Sequence, residues 1–303
     1  MASSPAEVAP LDSLELTATG GLLTRGGRRP RPLVAAALIV GVAMVVLAAI
    51  GPTILVSPNA QDLIHTLQAP AGLHNGSTKH LLGTDLLGRD LLSRTVSGLQ
   101  TSLIAAVAAL AIGAVFGVAI GMTAGYVGGI LDELLMRVVD VQLAVPGIVF
   151  VMLIIAILRP TVLTMIGVLA LIAWVVFARV ARAQVMSLRE QDMVTAVRAM
   201  GASHARILIR HVLPNIAGPL LVIATVELAN LIIVQAALSY LGLGVPPPTP
   251  TLGGMIYDGQ TELAAHIWWP VLVPACFIVL LIAAANVIGD WLRDILDPRA
   301  RAH

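Results

Sequence analysis

The chain has 303 residues, of which 58% are hydrophobic and only 12% are charged, and its formal net charge is +1. A soluble domain carries about 25% charged residues, so this chain has too little polar surface for a water-exposed globule and must place apolar surface against lipid. The near-zero net charge argues against nucleic acid as a partner, and the single cysteine, Cys276, excludes an internal disulfide.

Residues 1–32 are polar, which predicts a disordered cytoplasmic tail. The tail contains a cluster of basic side chains, Arg25, Arg28, Arg29 and Arg31. The following run, 33–56, is uncharged and is longer than the roughly 20 apolar residues that cross a bilayer as a helix. A secretory signal has a shorter apolar core and a small-residue cleavage site, so this run predicts an uncleaved first transmembrane helix.

Five further apolar runs of about spanning length follow, at 98–125, 141–158, 160–178, 213–237 and 267–289, and all are uncharged except the fourth of them, which Glu227 interrupts. The sequence therefore predicts an all-α membrane protein with six transmembrane helices. Residues 57–97 would form an external segment. Residues 98–291 would form a five-helix core that contains a cytoplasmic loop, 182–212, and an external loop, 238–266. Residues 292–303 would form a cytoplasmic C-terminal tail.

The distribution of basic residues predicts the orientation of these helices. With the N-terminus inside, the cytoplasmic segments hold 14 of the 18 Lys and Arg residues. Basic residues accumulate in cytoplasmic loops of multi-pass proteins. The sequence therefore predicts a multi-pass protein of the cytoplasmic membrane with both termini in the cytoplasm.

Lysine usage bears on whether this chain can bind a nucleotide. Lys79 is the only lysine and follows Thr78, so the chain cannot contain the Gly-Lys pair of a P-loop. If nucleotide hydrolysis drives this protein, ATP and Mg²⁺ bind partner subunits. We expect this chain to bind no cofactor or metal and to catalyse no covalent chemistry. The chain also lacks a recognisable internal repeat, which disfavours a secondary transporter built from two inverted halves.

The predicted cytoplasmic loop is amphipathic rather than irregular. Met193, Val197 and Met200 recur at helical spacing, Gly201 provides a helix stop, and Ser203 could cap a second short helix. The pattern predicts two short helices joined by a glycine turn. Such a pair could rest in the lipid headgroups, or it could dock in the groove of a partner protein, and the pattern alone leaves both alternatives open.

Five stretches of the sequence are informative together. They are Thr195–Gly201 with Leu213-Pro214, His80–Arg94, Gly125–Gly129 with Asp132 to Asp140, Leu238–Gly244 with Pro247–Pro250, and Asn286–Arg299. The first resembles the Glu-Ala-Ala loop of ATP-binding-cassette (ABC) importer permeases, and the other four resemble C-type permeases of dipeptide and oligopeptide importers. The resemblance implies a type I ABC importer-like permease with a cytoplasmic coupling helix pair.

The resemblance also implies partners and a cargo. The partners would be a homologous second permease, two ATP-binding subunits or one fused subunit, and an extracytoplasmic solute-binding protein. The cargo would be dipeptides or oligopeptides. A related importer of haem or nickel, or an ion-coupled secondary transporter, is the alternative.

The resemblance implies two sets of contact residues. Residues implied to dock on the ATPase are Glu190, Asp192, Thr195, Ala196, Val197, Arg198, Met200, Gly201, Ala202, Leu213 and Pro214. Residues implied to face the solute-binding protein are Thr84, Asp85, Arg89, Asp90 and Arg94. Two positions depart from the family pattern, because Thr195 and Gln235 stand where glutamate is usual.

One acidic side chain, Glu227, falls well inside a predicted span. A charge at mid-bilayer costs roughly 2.5–3.5 kcal/mol on insertion scales, so we expect it to face the bundle interior or a water-filled path. Asn230 and Gln235 share its approximate helix face. These three residues are candidates for lining a substrate path, and interhelical packing is the alternative.

Overall fold

The computed structural model describes residues 32–74 and 76–296. The predicted N-terminal tail up to residue 31 and the C-terminal tail after residue 296 lie outside the described residues. The α-helices are α1 (Pro32–Ile54), α2 (Leu91–Val127), α3 (Gly129–Ala144), α4 (Gly147–Ile157), α5 (Val162–Arg189), α6 (Asp192–Ala199), α7 (His204–Ile207), α8 (Leu213–Tyr240), α9 (Leu252–Gly259) and α10 (Trp269–Leu296). A π-helical turn, Leu208–Val212, joins α7 to α8, and a 3₁₀ helix, Gln260–Ala265, follows α9.

The predicted all-α membrane fold is confirmed. Helices α1, α2, α5, α10 and the run from α7 through α8 are long and apolar enough to cross a membrane, which gives five spans among the described residues. The bent pair of α3 and α4 brings the count to the predicted six when the pair is taken as one span. The described residues contain no β-strand beyond one isolated bridge between Thr84 and Asp90.

The third predicted span, 141–158, is not one straight helix. It is broken at Val145-Pro146, and the axes of α3 and α4 differ by 88°. Proline disfavours helical geometry at the preceding residue, and Val145 accordingly has an extended backbone with φ −97° and ψ 127°. Helix α4 has 11 residues, about 16 Å of rise, and is therefore too short to cross a bilayer alone.

The contact between α2 and α5 is the most extensive in the fold, and a stripe of glycines explains it. Gly113, Gly117, Gly121 and Gly125 lie on one face of α2. A Cβ at Gly117 would lie 2.2 Å from the carbonyl oxygen of Trp174, so the two backbones approach more closely than any side chain permits. Small residues at four-residue spacing are the usual means of such close packing in membrane helices.

Non-helical elements and short helices collect at the two ends of this bundle. The end with residues 55–90 and α9 is called the loop end below, and the end with α6 and α7 is called the helix-pair end. Helix α2 starts at the loop end and finishes at the helix-pair end. Its 37 residues give it a length of about 55 Å, so it connects both ends directly.

Candidate functional site

The turn between α6 and α7 is a glycine cap, as the sequence predicts. Gly201 has φ +82°, and its N–H donates to the carbonyl of Arg198 at 3.0 Å. The N–H of Ala202 donates to the carbonyl of Val197 at 3.4 Å. These two bonds satisfy the last carbonyls of α6 in the arrangement that a left-handed glycine allows.

The start of α7 differs from the expectation in one detail. Ser203 occupies the N-cap position with extended backbone, but its side chain makes no capping hydrogen bond. The helix is only four residues long and continues through the π-helical turn into α8. Pro214 falls in the first turn of α8, directly after the π-helical turn.

The apolar residues of α6 divide between two faces. Val194 is fully buried and Val197 packs partly against the main core, whereas Met193 and Met200 are 40% and 78% exposed. The three residues at helical spacing therefore differ in exposure, since Val197 faces partly toward the core while Met193 and Met200 face outward. Helical geometry places Met193, Ala196 and Met200 in one exposed strip, with Val197 at its inner edge beside the buried Val194.

The predicted ATPase-contact residues follow the same division. Those with exposed side chains or backbone are Glu190, Asp192, Thr195, Ala196, Arg198, Met200, Gly201 and Pro214. Those that pack partly inward are Val197, Ala202 and Leu213. The first group is available to a partner at the helix-pair end, and the second group holds the pair against the bundle. Their role in ATPase docking stays a prediction.

A buried tyrosine at the end of α2 contacts both short helices. The hydroxyl of Tyr126 is 3.1 Å from Nδ1 of His204 in α7. The guanidinium carbon of Arg198 in α6 lies 5.4 Å from the centroid of the Tyr126 ring, within the range of a cation–π interaction. Tyr126 therefore holds α6 and α7 on either side of Gly201. Neither contact was anticipated from the sequence.

Charged side chains also join α5 to its neighbours at the helix-pair end. Arg189 donates from Nη1 to the carbonyl of Gly125 at 3.0 Å. Arg182 pairs with both carboxylate oxygens of Asp132 in α3, at 2.5 and 2.7 Å. Such bidentate pairs fix orientation as well as distance. The base from which α6 leaves α5 is therefore tied to α2 and α3.

At the loop end, the five residues predicted to face a solute-binding protein are buried. The side chain of Asp85 organises the turn around it, accepting from the backbone N–H groups of Leu87 and Arg89 at 2.9 Å each. The Asp90 carboxylate caps α2 through the N–H of Ser93 at 2.8 Å and also bonds His80 Nδ1 at 3.0 Å. The Asp85 and Asp90 carboxylates therefore stabilise the backbone of the loop end through internal hydrogen bonds.

The remaining three members have equally internal partners. Thr84 Oγ1 donates to the carbonyl of His65 at 2.6 Å, and the Thr84 carbonyl accepts from Trp269 Nε1 at 3.2 Å. Arg89 and Arg94 both pair through Nε with Asp85, at 2.6 and 3.2 Å. A direct contact of these five with a binding protein stays a prediction, but the structure gives all of them a role inside the loop end.

The three polar residues predicted on α8 do not form one open strip. Glu227 is buried, and its carboxylate accepts one long hydrogen bond, 3.4 Å, from Asn230. Gln235 is buried in a different part of the helix, and both its amide atoms lack a hydrogen-bond partner within the described residues. The proposed substrate-path role of the three stays a prediction.

Comparison with known proteins identifies the family. Residues 117–302 match the family described as binding-protein-dependent transport system inner membrane component. The di/tripeptide transport system permease protein DppC of Pseudomonas aeruginosa is 38% identical over 244 residues, which cover 80% of each chain. The oligopeptide transport system permease protein OppC of Mycobacterium tuberculosis is 37% identical over 287 residues, covering 93% of this chain and 95% of that one.

A solved structure supports the fold. A chain of the MetNI methionine ABC transporter, solved in inward-facing conformations, superposes with a TM-score of 0.54 and 22% identity. The superposition covers 67% of this chain and 95% of that chain. Together with the apolar helices, these matches show a multi-pass permease of the inner membrane. The chain belongs to the family of inner membrane components of binding-protein-dependent transport systems.

Proposed function

We propose that this chain is one of two membrane subunits of an ABC importer that carries dipeptides or oligopeptides into the cell. The cargo rests on the relatives, which include permeases of di/tripeptide, dipeptide and oligopeptide transport systems. The chain contributes no catalytic group of its own. ATP and Mg²⁺ bind the partner ATP-binding subunits, either two separate chains or one fused chain.

The observation that carries the coupling role is the construction of the helix-pair end. Helices α6 and α7 are fixed to α2 by Tyr126, while Met193 and Met200 remain exposed on α6. An exposed apolar strip on a short helix is the form in which helices enter a partner's groove. We assign this strip to the groove of an ATP-binding subunit rather than to lipid headgroups.

The mechanism is alternating access driven by differential binding. ATP-binding subunits that close on ATP bind one arrangement of the helix pair better than the other, and only this difference can shift the permease between states. Because Tyr126 ties the pair to α2, movement of the pair is transmitted to a helix that reaches the loop end. The loop end would then respond by releasing or accepting cargo from the solute-binding protein.

This assignment requires the helix-pair end to be cytoplasmic, with both termini on the same side. The accumulation of basic residues on that side supports the orientation. Reporter fusions after residue 303 and within 57–97 should report opposite compartments. A cytoplasmic signal from the fusion within 57–97 would contradict the orientation and, with it, the docking site.

The docking site is tested by Met200→Asp. The side chain is 78% exposed, so the substitution leaves the fold intact but places a charge in an apolar contact. We expect the ATP-binding subunits to be lost from the purified complex, whereas Met200→Leu, which conserves volume and polarity, should retain them. Equal recovery of ATP-binding subunits with both variants would place docking elsewhere.

The cargo is tested separately. The importer, reconstituted with its solute-binding protein in vesicles, should take up labelled di- or oligopeptides when ATP is supplied to the ATP-binding subunits. Uptake of haem or nickel in place of peptides would show the same architecture with a different cargo. Uptake that follows an ion gradient without ATP would exclude an ABC importer.

A further inference from the structure

A cavity at the loop end has the chemistry of a ligand site. It has a volume of about 350 Å³ and lies between the start of α2, the end of α9 and the start of α10. Its size is at the lower end of the range for small-molecule pockets. Its walls combine charged groups with apolar side chains, which are Leu86, Leu87, Leu91, Met255, Pro247 and Pro270.

Two buried arginines provide the polar side of this cavity. Arg89 and Arg94 are both held by the same oxygen, Oδ2 of Asp85, through their Nε atoms. Arg94 is fixed further by a hydrogen bond from Nη1 to the carbonyl of Pro58 at 3.3 Å. The two guanidinium groups are therefore positioned before any ligand arrives, which reduces the cost of binding.

The outer edges of these arginines are incompletely paired. Both Nη2 atoms point toward Oδ2 of Asp258, at 4.0 Å for Arg89 and 3.9 Å for Arg94. These distances exceed a hydrogen bond. Within the part of the chain that the structure describes, neither Nη2 atom donates a hydrogen bond. Two donors thus converge on one anion position that Asp258 approaches without occupying.

The Asp258 carboxylate is placed so that another anion can displace it from the arginines. Its side chain is 45% exposed, and it lies near the end of α9, so it can turn toward solvent. Burial raises the pKa of the Asp258 carboxyl, an effect that Arg94 and Arg89 offset only in part. The charges of Arg89, Arg94, Asp85 and Asp258 sum to zero. A carboxylate that takes the place of Asp258 beside the two arginines preserves this balance around them.

We infer that this cavity binds the C-terminal carboxylate of a short peptide, with Arg89 and Arg94 as its ligands and Asp258 as the group it displaces. Guanidinium groups match carboxylates in geometry and charge. The leucines beside the arginines offer an apolar wall for the last side chain of the peptide. The inference rests on the proposed peptide cargo and adds a receiving site on the permease itself.

The test compares trialanine, trialanine amide, N-acetyl-trialanine and acetate as probes. Binding to the full-length chain in lipid nanodiscs is measured by isothermal titration calorimetry. We expect trialanine and its N-acetyl form to bind equally, and the amide to bind at least tenfold more weakly. Equal binding of acid and amide would overturn the site. Acetate that binds as tightly as trialanine would overturn the assignment to a peptide terminus.

Asp258→Asn sharpens the test because it removes the competing anion and leaves the Asp85 pairs intact. Asp258 Oδ2 lies about 4 Å from both guanidinium groups. A charge interaction at that distance is worth roughly 1 kcal/mol even with the full screening of water, so trialanine should bind about fivefold more tightly, or more, once Asp258 no longer competes. The matched control is Asp62→Asn, which removes a partly exposed carboxylate outside the cavity and should leave binding unchanged. Unchanged or weaker binding to Asp258→Asn would overturn the exchange of anions.

Two further outcomes separate this inference from the proposed function. Peptide uptake by the full importer with no trialanine binding to the permease would overturn the site and leave the peptide cargo intact. If no free probe binds but Asp258→Asn tightens the complex with the solute-binding protein, the site for a peptide terminus is overturned. The arginines would then receive an acidic side chain of that protein.

Discussion

The hydroxyl of Tyr126 lies 3.1 Å from Nδ1 of His204, although 78 residues separate the two in sequence. The contact joins the last turn of α2 to the first residue of α7, and Arg198 of α6 covers the same ring. At its other end, α2 is capped by Asp90, within the motif that fixes Arg89 and Arg94. One helix therefore links the proposed ATPase contact to the proposed cargo side.

Tyr126→Ala should uncouple transport, because it removes the hydroxyl contact to His204 and the ring beneath Arg198. Coupling free energies between sites are about 1–3 kcal/mol, so uptake per ATP hydrolysed should fall about fivefold or more. The measurement is ATPase activity and peptide uptake in the same vesicles. Preserved coupling in an assembled Tyr126→Ala complex would show that Tyr126 does not transmit movement from the helix pair to α2.

Tyr126→Phe isolates the hydrogen bond, because the phenyl ring still lies under Arg198 and beside His204. It should weaken coupling by the roughly 0.5–1.5 kcal/mol of one hydrogen bond. His204→Ala should weaken coupling more, because it also removes the edge-to-face contact of the two rings, whose centroids are 5.5 Å apart. The double variant should lose no more than His204→Ala with the remaining ring contact to Arg198 intact, because both single variants remove the same hydrogen bond. Additive losses would show that Tyr126 and His204 act separately.

A second prediction concerns the glycine stripe of α2. Gly117→Leu should prevent the close approach of α2 and α5, because even its Cβ would lie 2.2 Å from a backbone oxygen that cannot move aside. We expect a loss of about 3 kcal/mol or more of stability, seen as a lower thermal transition of the purified chain. Gly167→Leu is the matched control, since no atom lies within 4 Å of the added Cβ. Similar transitions for both variants would contradict the packing account.

The local sequence pattern was sufficient to predict the apolar helices and the glycine cap at Gly201. A run of about 20 uncharged residues has few alternatives to spanning a membrane, and Gly201 has a left-handed backbone because it ends an amphipathic stretch. The break in the third span was also signalled locally, by Pro146. It was missed because hydropathy does not distinguish a straight span from a bent one.

The contacts that define the sites could not be predicted in this way. Tyr126 with His204 and Arg182 with Asp132 are 78 and 50 residues apart, and no periodicity connects them. Arg89 and Arg94 were expected to face a solute-binding protein because the stretch that contains them resembles C-type permeases. They are buried because Asp85 and Asp258 together balance their charges and because α9 and α10 close over the segment, which depends on the tertiary fold.

A third prediction addresses the buried carboxylate of α8. Glu227→Leu should insert normally, because it removes a charge that costs roughly 2.5–3.5 kcal/mol at mid-bilayer. If Glu227 lines the substrate path, peptide uptake should fall while the complex still assembles. Glu227→Gln keeps the shape and a hydrogen-bond partner for Asn230, so it separates charge from packing. Normal uptake with Glu227→Leu would end the lining hypothesis.

The last prediction concerns Gly201, whose φ of +82° is disfavoured for residues with a Cβ by roughly 1–2 kcal/mol. No atom lies within 4 Å of an added Cβ, so a substitution acts through the backbone alone. Gly201→Val should shift α7 relative to α6, leaving the chain inserted but reducing uptake more than ATPase activity. Gly201→Asn is the control, because asparagine tolerates a left-handed backbone, and it should transport nearly as the unaltered protein does. If the Gly201→Val variant transports as well as the Gly201→Asn variant, the glycine turn does not set the angle between α6 and α7. Coupling must then pass through Tyr126 and does not depend on the turn.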